Sequence, residues 1–87
     1  MAKPYKSTPV FTQDNLPPAL QEEHSIKAGS WGILELLSGE LIYITEESGR
    51  RHMTAGDEQI IEPQLLHHVE LCGAMQMQVH FFREKPA

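Results

Sequence analysis

His67-His68-Val69-Glu70-Leu71-Cys72-Gly73-Ala74-Met75-Gln76-Met77-Gln78-Val79-His80-Phe81-Phe82 carries the clearest two-residue period in the chain. Val69 and Leu71 alternate with His68 and Glu70, and Met77, Val79 and Phe81 alternate with Gln78 and His80. That is the period of a half-buried strand, not of an amphipathic helix. Gly73-Ala74 reads as the turn that joins the two runs, which makes this segment the strongest hairpin signal in the sequence.

The same pattern recurs upstream. Leu34 and Leu36 alternate with Ile33 and Glu35, Leu41 and Tyr43 follow Ser38-Gly39, and Gly49 marks the next reversal. Gly56-Asp57 introduces Glu58 to Glu62, and Pro63 breaks the ladder there, since proline cannot donate to it. Seven or eight short strands separated by turn signals, with no credible helix, predict an all-β sandwich or a barrel closed on itself. Residues 1–18 contain four of the six prolines and read as an extended arm, with Tyr5, Val10, Phe11 and Leu16 apolar enough to lie across the barrel or pair at its edge. Residues 19–87 then form the barrel, with Arg83 to Ala87 as a frayed end.

At 87 residues the chain supports one core, and a chain so short gains from covering more apolar area in a homodimer, which is therefore expected. The formal charge of −5 offers no positive field to a phosphate backbone, so nucleic acid is excluded as a partner. Arg50, Arg51 and His52 follow Glu46-Glu47 across Ser48-Gly49 and read as a solvated hairpin tip. The single cysteine, Cys72, has no partner for a disulfide within the chain, and it reads as a small packed or half-exposed thiol. Neither a leader nor a long apolar run is evident, so a cytoplasmic location without membrane contact is expected.

Five histidines are the chemically pointed feature. His67 shares its parity with Val69 and Leu71, which pull it inward, whereas His68 and Glu70 take the other side. His24 precedes Ile26 with the same parity, and a barrel would bring it to His67 from the far end of the chain. The place of His80 depends on the turn. A two-residue turn at Gly73-Ala74 sets His80 opposite His67 on one face, and a three-residue turn keeps Met77, Val79 and Phe81 inside and puts His80 outside with His68. Either inward histidine alone fits a core residue bonded at one nitrogen. Two together point to a site that Glu62 or Glu70 could complete for a divalent transition metal such as zinc, iron or manganese. No Gly-x-x-x-x-Gly-Lys, Cys-x-x-Cys or Gly-x-Ser-x-Gly pattern offers a competing chemistry.

Two stretches carry a family resemblance. They are His24-Ser25-Ile26-Lys27-Ala28-Gly29-Ser30-Trp31-Gly32, followed by Gly39-Glu40-Leu41-Ile42-Tyr43, and Glu62-Pro63-Gln64-Leu65-Leu66-His67-His68-Val69-Glu70, leading to Val79-His80-Phe81-Phe82. Together they resemble the cupin-like domain found as small bacterial proteins and fused ahead of the methyltransferase in some tellurite-resistance proteins. The resemblance implies a double-stranded β-helix (jelly-roll) barrel and carries over His24, His67 and Glu70. Family members tend to have a carboxylate where this chain has His80, and the general cupin His-x-His cluster is absent, so His80 joins the candidate metal set as a departure from the pattern. Three functions follow as expectations. The domain binds a metal and acts in a tellurite or related oxyanion response, or it is a non-enzymatic sensor for a small molecule or anion, or it dimerises or docks on a methyltransferase. Methyl transfer itself is not expected in this chain, which lacks a Gly-rich nucleotide-binding segment.

Overall fold

The computed structural model describes residues 3–22 and 25–86. It is all-β apart from one turn of helix. The strands are β1 (Lys6–Ser7), β2 (Phe11–Thr12), β3 (Trp31–Thr45), β4 (Gly49–Thr54), β5 (Glu58–Ile61) and β6 (His67–Phe82), and the helix α1 is Pro18–Gln21. All pairings are antiparallel. The path runs β1-β6-β3-β4, with β2 also on β6 and β5 also on β3.

Two long strands replace the many short ones predicted. Neither Ser38-Gly39 nor Gly73-Ala74 is a hairpin turn, because β3 and β6 continue through them and pair with each other along nearly their whole length. A straight strand of 15 residues would run roughly 50 Å at about 3.3 Å per residue. The molecule's longest dimension is 32 Å, so the pair must bend.

The bend lies where the ladder slips. It passes from Leu41↔Leu71 to Gly39↔Met75, which leaves Cys72, Gly73 and Ala74 bulged and exposed on β6. It then passes from Ser38↔Gln76 to Leu36↔Met77, which bulges Leu37 on β3. Such insertions bend a strand and increase its twist. The Leu37 bulge also switches the inward parity of β3, from Gly32, Leu34 and Leu36 on one side of it to Leu41, Tyr43 and Thr45 on the other. The small residues that look like turn signals in the sequence instead permit the crossing.

The bend turns the two halves of the sheet towards one another around a core that includes Leu34, Leu36, Leu41, Met53, Met75 and Met77. Among the described residues no ladder joins the ends of the path, so the closed jelly-roll barrel expected from the sequence is replaced by an open, folded sheet. The N-terminal residues extend that sheet through β1 and β2 on β6, with Tyr5 N–H donating to Phe81 O at 2.9 Å and Thr8 N–H to Val79 O at 2.9 Å. The β3–β4 hairpin at Glu46–Ser48 and the β5 strand after Gly56-Asp57 fall where the turn signals put them. The predicted frayed end is a correction: Arg83 lies 4.3 Å over the Tyr5 ring, Lys85 lies 5.9 Å from the Trp31 ring centre, and Pro86 is buried.

Candidate functional site

His67 opens β6 and points into the folded sheet. It is 3% exposed, flanked on the same face by Val69. Its Nδ1 lies 2.9 Å from the carbonyl oxygen of Leu65. A carbonyl can only accept, so Nδ1 carries the proton, and in the neutral ring Nε2 is the lone-pair nitrogen. The imidazole stacks on Tyr43 of β3, with ring centres 5.7 Å apart and planes at 27°. The turn before His67 is fixed from the other side, where Gln64 N–H donates to Ile26 O at 2.8 Å and Gln64 itself sits at φ 62.

The two rings border a cavity of about 60 Å³ between the sheet halves. Leu34 and Val79 come to it from one half and Tyr43, His67 and Val69 from the other, while Leu20 of α1 and Ile26 cover it. Apart from His67, Tyr43 and Thr8 its lining is apolar. Thr8 is turned to the backbone, since its hydroxyl donates to Pro9 O and accepts from Val79 N–H.

A wider recess of about 250 Å³ lies on the other side of Tyr43 and is charged, with Glu47, Arg51, Glu62 and Lys85 in its lining. Arg51 is braced there, donating through Nη1 to Gln59 Oε1 at 2.7 Å and to Glu58 O at 3.0 Å. Burial, and secondarily the Glu62 carboxylate, push the Tyr43 hydroxyl well above the ordinary tyrosine value of 10.0. The unfolded chain therefore releases this proton first, so Tyr43 contributes a loss of stability as pH rises above about 10 and none at neutral pH. The Tyr43 share of tyrosinate absorbance, identified by its loss in Tyr43→Phe, is expected to appear only with unfolding. A Tyr43 signal rising in the folded protein near the ordinary value would mean that the ring is not buried.

Residues 6–79 match the family described as the TehB-like domain. The chain belongs to that family. Its TehB-like sequence is 39% identical over 88 aligned residues to a Haemophilus influenzae protein named "Probable S-adenosyl-L-methionine-dependent methyltransferase TehB". That match takes in 93% of this chain but 31% of the relative, so the chain spans about a third of the curated protein it resembles. The crystal structure of TehB from Haemophilus influenzae superposes with a TM-score of 0.82 and 34% identity, over 92% of this chain and 30% of that one. A crystal structure of an E. coli K12 protein superposes with a TM-score of 0.85 over 99% of this chain and 93% of that one. At 20% identity, that likeness speaks for the fold alone.

Three of the four predicted metal ligands, His67, Glu70 and His80, fall among the described residues of this TehB-like domain, and these three do not gather. His24 lies outside the described residues. Glu70 projects from the outer face of β6 and pairs with Arg50 Nη2 at 2.7 Å, with both side chains about half exposed. His80 also faces outward, so of the two registers weighed from the sequence the outward one describes its face, although no turn is present. Its Nε2 donates to Glu35 Oε1 at 3.0 Å and its Nδ1 accepts from the Ser7 hydroxyl at 2.8 Å. Among the described residues no three His, Cys, Asp or Glu side chains come together as metal ligands.

His80 thus ties β1 and β3 across β6. His80→Ala is expected to cost about 1 kcal/mol in denaturant unfolding, the net worth of partly exposed hydrogen bonds of this kind. An unchanged midpoint would show that these side chains do not hold the arm.

Tyr43 is the site residue that the sequence reading places only in the strand alternation with Leu41. Its parity with Leu41 was a usable signal, but its pairing with His67 depends on the Thr45↔His67 and Tyr43↔Val69 register. Among the described residues no helix is long and apolar enough to cross a membrane.

Proposed function

We propose that this TehB-like domain is a non-enzymatic small-ligand-binding module serving a tellurite or related oxyanion response, with its ligand held between the two halves of the sheet. The bent sheet acts as an open, cupin-like cup. The observation that carries the reading is His67, an oriented imidazole buried at the wall of an otherwise apolar cavity. A few placed polar groups in an apolar lining are the general make-up of small-molecule sites. The methyltransferase name belongs to the whole Haemophilus protein, of which this chain matches 31%. In this proposal the domain handles a ligand for methyl-transfer chemistry carried elsewhere.

A metal-dependent version, with zinc, iron or manganese, would require His24 beside His67, because Glu70 and His80 are turned to the outer face. Thermal melting separates the two readings. Untagged protein is screened against small alcohols, amides and tellurite, before and after treatment with a strong chelator. The expected result is a ligand-induced rise in Tm that survives chelation. A rise abolished by chelator, with stoichiometric metal in the untreated protein, would assign the site to a metal, and no rise with any compound would remove the ligand-binding reading. A homodimer and a cytoplasmic location belong to the same proposal, and light scattering and cell fractionation test them.

A further inference from the structure

From the lining of the cavity we infer that its ligand is an uncharged, largely apolar molecule of a few heavy atoms, and not an anion. The inference rests on the ligand-binding reading above and names the substrate class of that same site. Leu34, Val69, Val79 and Met77 supply most of the wall, and no Lys or Arg among the described residues lines it. An anion moved from water into such an apolar place loses its hydration and meets no Lys or Arg among the described lining residues to compensate.

At the polar end of the cavity the Nδ1 proton of His67 is already committed to the Leu65 carbonyl. Arg51 and Lys85 line the charged recess on the other side of Tyr43 and not the inner cavity. A charged molecule is therefore matched to the recess, and an uncharged one passes to the interior. For an oxyanion response the consequence is specific: the species taken inside is a neutral form or a neutral product, not the anion itself.

2-Propanol and acetate test this, since both are compact molecules of four heavy atoms that differ chiefly in charge. The full chain, with methyl and backbone NMR signals assigned, is titrated with each. The expected result is that 2-propanol shifts the methyl signals of Leu34, Val69 and Val79 with at least tenfold higher affinity than acetate. In Val79→Leu, which adds volume to the cavity wall, the affinity for 2-propanol is expected to fall at least fivefold. Should that variant unfold, Val69→Leu replaces it. Acetate binding at these methyls as tightly as 2-propanol would overturn the inference while leaving the cavity as a ligand site. Neither probe shifting them would overturn the ligand-binding reading itself. Shifts confined to outer-face residues such as Ile42 or His80 would place the binding elsewhere and overturn both.

Discussion

Replacing Gly39 by alanine is expected to remove a large part of the stability of this domain. An added Cβ would lie 2.1 Å from the Ala74 carbonyl oxygen and 2.8 Å from the Met75 Cα, and both are backbone atoms that no side-chain rotation can move. The residue also sits at φ 77, where a Cβ is strained in any case. Left-handed strain costs about 1–3 kcal/mol and forced overpacking a further 1–3 kcal/mol, for a combined loss of about 2–6 kcal/mol. At about 0.05–0.15 kcal/mol per residue a chain of 87 residues has roughly 4–13 kcal/mol in all, so this is a large share of it. Gly49 is the matched control, with φ 76 but nothing within 4 Å of its added Cβ, and Gly49→Ala should cost only the strain. Urea unfolding of both variants reads the difference. If they lose equal stability, β3 and β6 do not cross as closely as described.

The second large effect separates two adjacent leucines. Leu36 is 0% exposed and Leu37 is 40% exposed, because the bulge at Leu37 pushes that side chain out of the inward alternation. Leu36→Ala should cost about 2–5 kcal/mol through lost burial and the cavity left behind. Leu37→Ala should stay within about 0.5 kcal/mol of the parent, as surface changes usually do. Comparable losses at the two positions would show that the parity switch in β3 is absent.

These positions also show what the sequence could and could not reveal. The inward set Leu34, Leu36, Leu41 and Tyr43 follows from apolar residues recurring at alternate positions, and His67 follows from its parity with Val69 and Leu71. Strand continuity does not follow. Ser38-Gly39 and Gly73-Ala74 have the composition of turns, and only the long-range approach of Gly39 to Ala74 makes them the inside and outside of a bend. A period of two reports the faces of a strand locally, but not whether the strand stops. For the same reason the closed barrel was expected where the sheet is open.

The site was legible to a similar depth. An inward His67 needs only local alternation, whereas its stacking on Tyr43 requires the β3–β6 register. The family resemblance sets Glu70 beside His67, and His80 joins them as a possible ligand type, although Glu70 is one step out of phase with Val69 on the same strand. The partners that hold His80 outward, Ser7 and Glu35, are distant in sequence and give no local sign. The TehB-like relationship extends across nearly the whole fold, and because that relationship concerns about a third of the longer protein, the chemistry proposed here rests on this chain's own cavity.

That cavity can be observed directly with xenon, which enters apolar interior spaces large enough to hold it. In crystals of the protein pressurised with xenon, the account predicts a xenon peak in van der Waals contact with Val69, Val79 and the His67 ring. No peak between the sheet halves, or a His67 ring turned out into solvent in the same crystals, would contradict it.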